Sequence, residues 1–287
     1  MLKLVALDLD GTTLNSAHRI SDRTTAVLRK LSSMGVTIVI ATGRGSDSVF
    51  GYVKELKLPQ QQVPVVVFNG SVCLLYESAT GEVRELFQKP IPAASAKSLI
   101  ALADREGVCI QLYNGRTGQV YARPDTPLHR ELLERYERLV ERKQTYVNSH
   151  EEVFRETTEF AKALCLTFDP DAFMAAATAA LPAGMLHMIR GSPDPFFVEF
   201  LRPDSNKGSA MLTLCTELGI DPSQVIAFGD GENDCEMLRA VGVGCAMAQA
   251  RQIVKDSANI VTEYSNDQDG VAIQLEKFLE EGKFAVL

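Results

Sequence analysis

The sequence predicts an α/β fold: a doubly wound, Rossmann-like parallel sheet interrupted by an inserted α+β domain. Three observations lead there. Short apolar runs alternate with amphipathic helical stretches at both ends of the chain, as in a parallel sheet covered by helices. Four of those runs stop at polar residues capable of chemistry. From about residue 87 the alternation gives way to helices interleaved with paired strands. The expected division is 1–86 with 193–287 for the parallel-sheet domain, and 87–192 for the insertion.

The first run, Leu4-Val5-Ala6-Leu7, reads as a buried strand over 3–8 and ends in Asp8-Leu9-Asp10-Gly11-Thr12. Residues two apart on a strand point to the same side. Two anions side by side repel and are costly to desolvate. Either one is protonated or a cation sits between them, and Mg²⁺ favours carboxylate, carbonyl and phosphate oxygens. A helix over 22–34 follows, with Val27, Leu31 and Met34 on one face and Gly35 as its stop. The strand at 36–41 runs into Thr42-Gly43-Arg44, where a hydroxyl and free N–H groups suit a phosphate oxygen. Helix 46–57 turns Val49, Val53 and Leu56 inward, and Pro59 lies beyond it. Strand 64–68 meets the Asn69-Gly70 turn, and a hairpin continues through 72–75 and 83–86.

The insertion reads as helix 93–106, strands 109–113 and 119–122, helix 127–142, strand 162–168, helix 170–180 and strands 185–190 and 196–201. Leu128, Leu132, Tyr136 and Leu139 mark the expected inner face of helix 127–142. Glu199 stands in an apolar run, which an exposed face of an edge strand or a substrate contact would explain equally. The parallel-sheet domain resumes at Asn206-Lys207-Gly208, opening a helix that carries Met211, Leu214 and Leu218. A lysine at a helix start opposes the helix dipole, so another task is expected of it. An ammonium there can hold both an aspartate and a phosphate. The strand at 225–228 ends in Gly229-Asp230-Gly231-Glu232-Asn233-Asp234, and Asp230 is a third carboxylate for a six-coordinate metal. Helix 270–281 closes the fold.

Composition narrows the function. The 287 residues are 46% hydrophobic and carry a formal net charge of −8, which argues against nucleic acid and anionic membranes as partners. No apolar run reaches the length of a membrane span. The first strand begins at once, leaving no room for a signal peptide. Six cysteines form no Cys-x-x-Cys pair and read as reduced core thiols, so a cytoplasmic location is expected. His18, His129, His150 and His187 have no ligand spacing, and only His187, on a strand of the insertion, is a candidate substrate contact.

Taken in this order, the motifs resemble those of the haloacid dehalogenase-like superfamily of phosphohydrolases, in its Cof-type sugar-phosphatase branch with a large α/β (type IIB) cap. The similarity covers the whole chain. Asp8 through Thr12 resembles the first family motif, Thr42 the second, Lys207 the third, and Gly229-Asp230 through Asn233-Asp234 the fourth. Asn69-Gly70 and Asp269-Gly270-Val271-Ala272 match the branch. One departure is Gln249 in Ala246-Met247-Ala248-Gln249-Ala250, where the branch usually has Asn.

The resemblance implies a Mg²⁺-dependent phosphomonoesterase acting on a small phosphorylated metabolite, with the insertion as a substrate-selecting cap. It implies Asp8 as the nucleophile that becomes an aspartyl-phosphate, and Asp10 as general acid and base, with its backbone carbonyl on the metal. The spacing alone does not separate the two carboxylates. Asp8, Asp10 and Asp230 would be the metal ligands. Thr42 and Lys207 would hold phosphoryl oxygens, and Gly11, Gly43, Arg44, Asn69 and Asn233 would line the substrate and phosphate site. Asp234 would support Lys207 or the metal from behind. The alternatives are a phosphotransferase or phosphomutase of the same superfamily, which excludes water from the intermediate, and a non-catalytic phosphometabolite sensor. Oligomeric state is not legible in the sequence.

Overall fold

The computed structural model describes residues 1–140, 142–191 and 196–284. The chain divides into two compact units, Met1–Phe87 with Asn206–Leu287, and Gln88–Ser205. The expected boundary at 192/193 lies outside the described residues. The observed division falls later, because the strand Phe197–Leu201 belongs to the second unit's sheet.

The first unit opens with β1 (Leu4–Leu7), α1 (Asp22–Ser33), β2 (Thr37–Ala41), α2 (Phe50–Leu56), β3 (Gln62–Val67), β4 (Val72–Glu77) and β5 (Val83–Gln88). The second unit contains α3 (Ala93–Glu106), β6 (Cys109–Asn114), β7 (Val120–Ala122), α4 (Pro127–Val140), β8 (Thr145–Tyr146) and α5 (His150–Glu156). It continues with β9 (Phe160–Leu166), α6 (Pro170–Ala180), β10 (His187–Arg190) and β11 (Phe197–Leu201). The first unit resumes with α7 (Lys207–Leu218), β12 (Val225–Gly229), α8 (Cys235–Ala240), β13 (Val243–Ala246), α9 (Gln252–Lys255), β14 (Ile260–Val261) and α10 (Gly270–Glu280).

In the first unit eight strands form one sheet in the order β14-β13-β12-β1-β2-β3-β4-β5. The strands from β14 to β3 are parallel, and the β3–β4 pair is antiparallel. All four residues of β1 are buried, which is why its sequence is apolar on both faces rather than alternating. Register aligns Leu7 with Phe228 on one side and Ile40 on the other, so β1, β2 and β12 run out at one edge. From β1 the chain winds one way through β2 and β3 and later the other way through β12 and β13, which makes this edge a topological switch point. α1 begins at Ser21, whose side chain accepts from the Thr24 N–H, and buries Val27, Leu28 and Leu31. α2 is shorter than the apolar spacing predicts. Residues 46–48 form a separate tight turn, and the regular helix starts at Phe50.

The second unit is a six-stranded sheet ordered β10-β11-β9-β6-β7-β8, antiparallel except for the β7–β8 pair. Ile110, Leu112, Ala163, Cys165, Val198 and Phe200 on one face pack with Leu99 and Ala103 of α3, Val153 of α5 and Phe173 of α6. Alternation along the strands puts Gln111, Tyr113, Lys162 and Glu199 on the opposite face, where α4 packs. α4 buries His129, Leu132, Leu133 and Tyr136, while Leu128 and Leu139 are exposed. Of the expected inner residues, Leu132 and Tyr136 are buried, whereas Leu128 and Leu139 are exposed and His129 is anchored inside. Its Nε2 lies 3.1 Å from the Gly107 carbonyl and its Nδ1 faces the Asp125 N–H. Glu199 is neither on an edge strand nor exposed; β11 lies between β10 and β9, and the carboxylate is paired with Lys162. His187 is exposed on β10. The elements least evident from periodicity were β8, α5 and the short strands β13 and β14. All six cysteines are buried and free. Among the described residues no helix is long and apolar enough to cross a membrane.

Candidate active site

The site grows from the edge where β1, β2 and β12 end together. The Asp8 N–H donates to the Phe228 carbonyl, tying the end of β1 to β12. Residues 9–13 then form one wide turn, closed by the Leu14 N–H on the Leu9 carbonyl at 2.8 Å. Asp10 and Gly11 leave helical space within this turn, and Gly11 has φ +72°. A Cβ at Gly11 would overlap the Asp230 carboxylate, so this position requires glycine twice over. The Thr13 hydroxyl donates to the Asp8 carbonyl at 2.5 Å, and the Thr12 hydroxyl donates to Asp230 Oδ1 at 3.0 Å.

Lys207 is the first residue of α7, whose N-terminus is capped by Asn206 accepting from the Ser209 N–H. Its side chain is fully buried, with Nζ 2.6 Å from Asp8 Oδ1 and 2.7 Å from Asp234 Oδ1. The second oxygen of Asp234 accepts the N–H groups of Asp230 and Gly231 at 3.1 and 3.0 Å. Asp234 thus clamps both Lys207 and the loop that presents Asp230. Oxygens of Asp8, Asp230 and Asp234 lie within 4.8 Å of one another. Of the three, Asp234 has both oxygens engaged. Asp8 and Asp230 each keep one oxygen without a hydrogen-bond partner among the described residues.

The electrostatics follow from three carboxylates sharing one ammonium. Burial is the largest influence on Asp8 and pushes its carboxyl up to about 8. Lys207 opposes the rise, and Asp234 and Asp230 add to it. Burial, then Asp234, pushes Asp230 up to about 6, against the Thr12 hydrogen bond and Lys207. Burial alone would lower Lys207, but Asp234 and Asp8 hold it above the usual lysine value.

The remaining residues form two groups. Thr42 is buried just past β2, and its hydroxyl accepts the Arg44 N–H at 3.2 Å. Gly43 lies against the Asn69 amide, where a Cβ would stand 2.9 Å from Asn69 Oδ1. That same oxygen accepts from Asn233 Nδ2 at 2.8 Å, and Asn69 takes a left-handed conformation at φ 54°. Arg44 Nε and Nη2 donate to the two oxygens of Asp10 at 2.7 and 2.5 Å, a bidentate pair, and its guanidinium lies over the Tyr52 ring. The Asp10 carboxylate therefore stands outside the acidic cluster, half-exposed and held by Arg44. Sequence reasoning singled out neither Thr12 nor Thr13 as anchors, although a Thr-Thr pair after Asp-Gly was the visible signal. Gln249, noticed only as a departure, donates from Nε2 to the Gly11 carbonyl at 2.5 Å.

An open parallel sheet with acids and one buried ammonium at its switch-point edge is a frame shared with known hydrolases. The family model for haloacid dehalogenase-like hydrolases matches residues 5–275. The protein YxeH of Bacillus subtilis (strain 168) is 31% identical over 281 residues, covering 95% of this chain and 96% of that one. The 5-amino-6-(5-phospho-D-ribitylamino)uracil phosphatase YwtE of the same organism is 26% identical over 301 residues, covering 99% of this chain and all of its own. The solved structure of BT1666 from Bacteroides thetaiotaomicron, one of the phosphatases of the haloalkanoate superfamily, superposes with a TM-score of 0.79 at 28% identity. It covers 99% of this chain and 96% of that one. The chain belongs to the haloacid dehalogenase-like hydrolases. Within that superfamily it is a phosphatase, a hydrolase of phosphate monoesters.

Proposed function

We propose that the protein hydrolyses a small organic phosphate, a sugar phosphate or related metabolite, through an aspartyl-phosphate on Asp8 and with Mg²⁺ as cofactor. The observation that carries this reading is the Asp8–Lys207–Asp234 triad beside Asp230 at the end of β1. Lys207 holds Asp8 Oδ1, which leaves the other oxygen to attack phosphorus. Asp10 protonates the leaving alkoxide and then takes the proton of the hydrolytic water. Lys207 and Thr42 hold phosphoryl oxygens as charge develops on them. Arg44 orients Asp10 and draws the anion, and Asn69 and Asn233 fix the loops on which Gly43 and Asp230 stand.

The donor set fits a hard divalent cation. The open oxygens of Asp8 and Asp230, together with the Asp10 carbonyl, would hold it, while Asp234 acts from behind through Lys207 and the loop N–H groups. When bound, Mg²⁺ supplies charge neutralisation between the attacking carboxylate and the phosphoryl group. Both raised carboxyls favour this assignment, because a cation offsets the repulsion and desolvation that raise them. The sugar-phosphate class is supported by the phosphoribityl compound that names the relative YwtE. Residues 88–205 are proposed as the cap that selects the leaving group.

A panel of phosphometabolites assayed for phosphate release with Mg²⁺ tests the substrate class. Asp8→Asn keeps the shape and loses the attacking charge, so turnover is expected to fall by about 10³-fold or more with folding intact. Near-normal phosphate release by that variant would remove Asp8 from its role.

A further inference from the structure

The turn that carries Asp8 and Asp10 is held from outside by side chains distant in sequence. Its internal closure is one backbone bond, Leu14 to Leu9, and the Thr13 hydroxyl on Asp8. Four further bonds come from the segments after β13 and β14. Gln249 Nε2 donates to the Gly11 carbonyl, and Asn266 Nδ2 donates to the Leu14 carbonyl at 2.9 Å. Asp267 accepts both the N–H and the hydroxyl of Ser16, at 2.7 and 2.6 Å. Asn266 and Asp267 lie in a short turn before α10, and Arg23 of α1 is paired with Glu276 of α10 at 2.6 Å. The fastening thus runs along the turn and into the following helix.

We propose that Gln249 is a positioning residue for phosphoryl transfer, which fixes the Gly11–Thr12 peptide in its working orientation, with Asn266 and Asp267 securing the chain beyond it. A trans peptide points its C=O and N–H in opposite directions. The Gln249 bond on the Gly11 carbonyl therefore sets the direction of the Thr12 N–H. Thr12 is the residue whose hydroxyl holds Asp230. Glycine is the residue whose flanking peptides rotate most freely, and Gly11 sits at φ +72° between Asp10 and Thr12. Without an outside partner this peptide has alternative orientations. Each of them displaces either the Asp10 side or the Asp230 side of the turn. Gln249 is exposed, and its amide reaches back across 238 positions of sequence to make this contact. The inference rests on the roles proposed above for Asp8 and Asp10.

The test compares the full-length parent with Gln249→Ala, Gln249→Glu, Gln249→Lys and Asp8→Asn, using p-nitrophenyl phosphate and Mg²⁺. Gln249→Glu keeps the shape without a donor, and Gln249→Lys keeps a donor without the shape. A slight misplacement of reacting groups lowers the rate steeply, so kcat is expected to fall about 10-fold in the alanine and glutamate variants, with KM within about twofold. The lysine variant is expected to regain most of the lost kcat. In the metal-free protein, amides of residues 9–16 should exchange hydrogen faster in Gln249→Ala than in the parent. Unchanged kcat in both the alanine and glutamate variants overturns the proposal, as does a rise in KM alone or a lysine variant no better than glutamate. Parent-like activity in Asp8→Asn is a different result, which overturns the proposed function instead.

Discussion

Two buried lysines, one in each unit, meet carboxylates in opposite ways. Lys162 on β9 lies 2.8 Å from Glu199 on β11 and 4.8 Å from the centre of the Tyr113 ring. The ammonium there is paired with a carboxylate, and Arg142 adds positive charge nearby. Burial would lower Lys162, yet Glu199 and Tyr136 leave it above the ordinary lysine value. Lys207 is equally buried but is shared by Asp8 and Asp234, with Asp230 close behind. Here negative charge is in excess, and the surplus appears as carboxyls pushed up to about 8 and about 6. The surplus of carboxylates around Lys207 is what the cation proposed above would offset, and burial, common to both lysines, does not distinguish the two places.

Removing each ammonium gives the largest expected effect. Stranding a buried carboxylate costs about 3–5 kcal/mol, so Lys162→Met and Lys207→Met should both lower unfolding stability in urea by that order. Their kinetics should diverge. Lys207→Met is expected to lose turnover of p-nitrophenyl phosphate by about 10³-fold or more, while folded Lys162→Met stays within about threefold of the parent. Replacing both partners of the Lys162–Glu199 pair with apolar groups, Lys162→Met with Glu199→Leu, should restore stability to within about 1 kcal/mol of the parent. No such double replacement at Lys207 and Asp8 should restore turnover. Equal kinetic losses at the two lysines would erase the distinction.

Competition between protons and metal sharpens the comparison further. A cation and a proton seek the same oxygens of Asp8 and Asp230. Titration calorimetry should therefore show Mg²⁺ affinity rising as pH increases from about 5 through the carboxyl values near 6 and 8, then levelling. Asp230→Ala should weaken binding at every pH. Affinity independent of pH over that range would detach these two carboxyls from the metal.

The contrast also explains what the sequence made legible. β1, β2, β3 and β12 announced themselves because their residues are buried on both faces, which forces apolar runs that end abruptly at Asp8, Thr42, Asn69 and Asp230. Parallel strands in register then bring Asp8, Lys207 and Asp230 to one edge, so a reading along the chain found the residues that meet in space. Contacts decided by side-chain reach were not legible. Nothing in the spacing separates an Arg44 that draws an anion from one that holds Asp10 in a bidentate pair. Nor does composition distinguish Glu199 on an edge strand from Glu199 paired inside a sheet. On α4, Leu132 and Tyr136 are buried as expected, but His129 was missed because its anchoring depends on the Gly107 carbonyl beyond α3.

The smallest expected effect sets the pH responses of the two units against each other. His150, at the start of α5, is buried, and neither ring nitrogen has a hydrogen-bond partner among the described residues. Burial, reinforced by Arg123, holds it below the ordinary histidine value, against Asp104, Asp125 and Glu151. The folded second unit therefore binds fewer protons than the unfolded chain below about pH 6.5, and its stability should fall as pH drops. In the metal-free first unit the sign reverses. The raised carboxyls of Asp8 and Asp230 bind more protons when folded, so stability falls as pH rises from the ordinary carboxyl range through about 6 and 8. Hydrogen exchange followed by peptide from pH 5 to 8 reads the two units separately. Amides of α5 and β9 should lose protection toward acid, and those of β1 and β12 toward base. His150→Leu removes both the titration and the unpartnered nitrogens, so it should flatten the acid response of the second unit and leave the first unit's response in place. An acid response that survives His150→Leu would assign the slope to another group and end His150's part in the contrast.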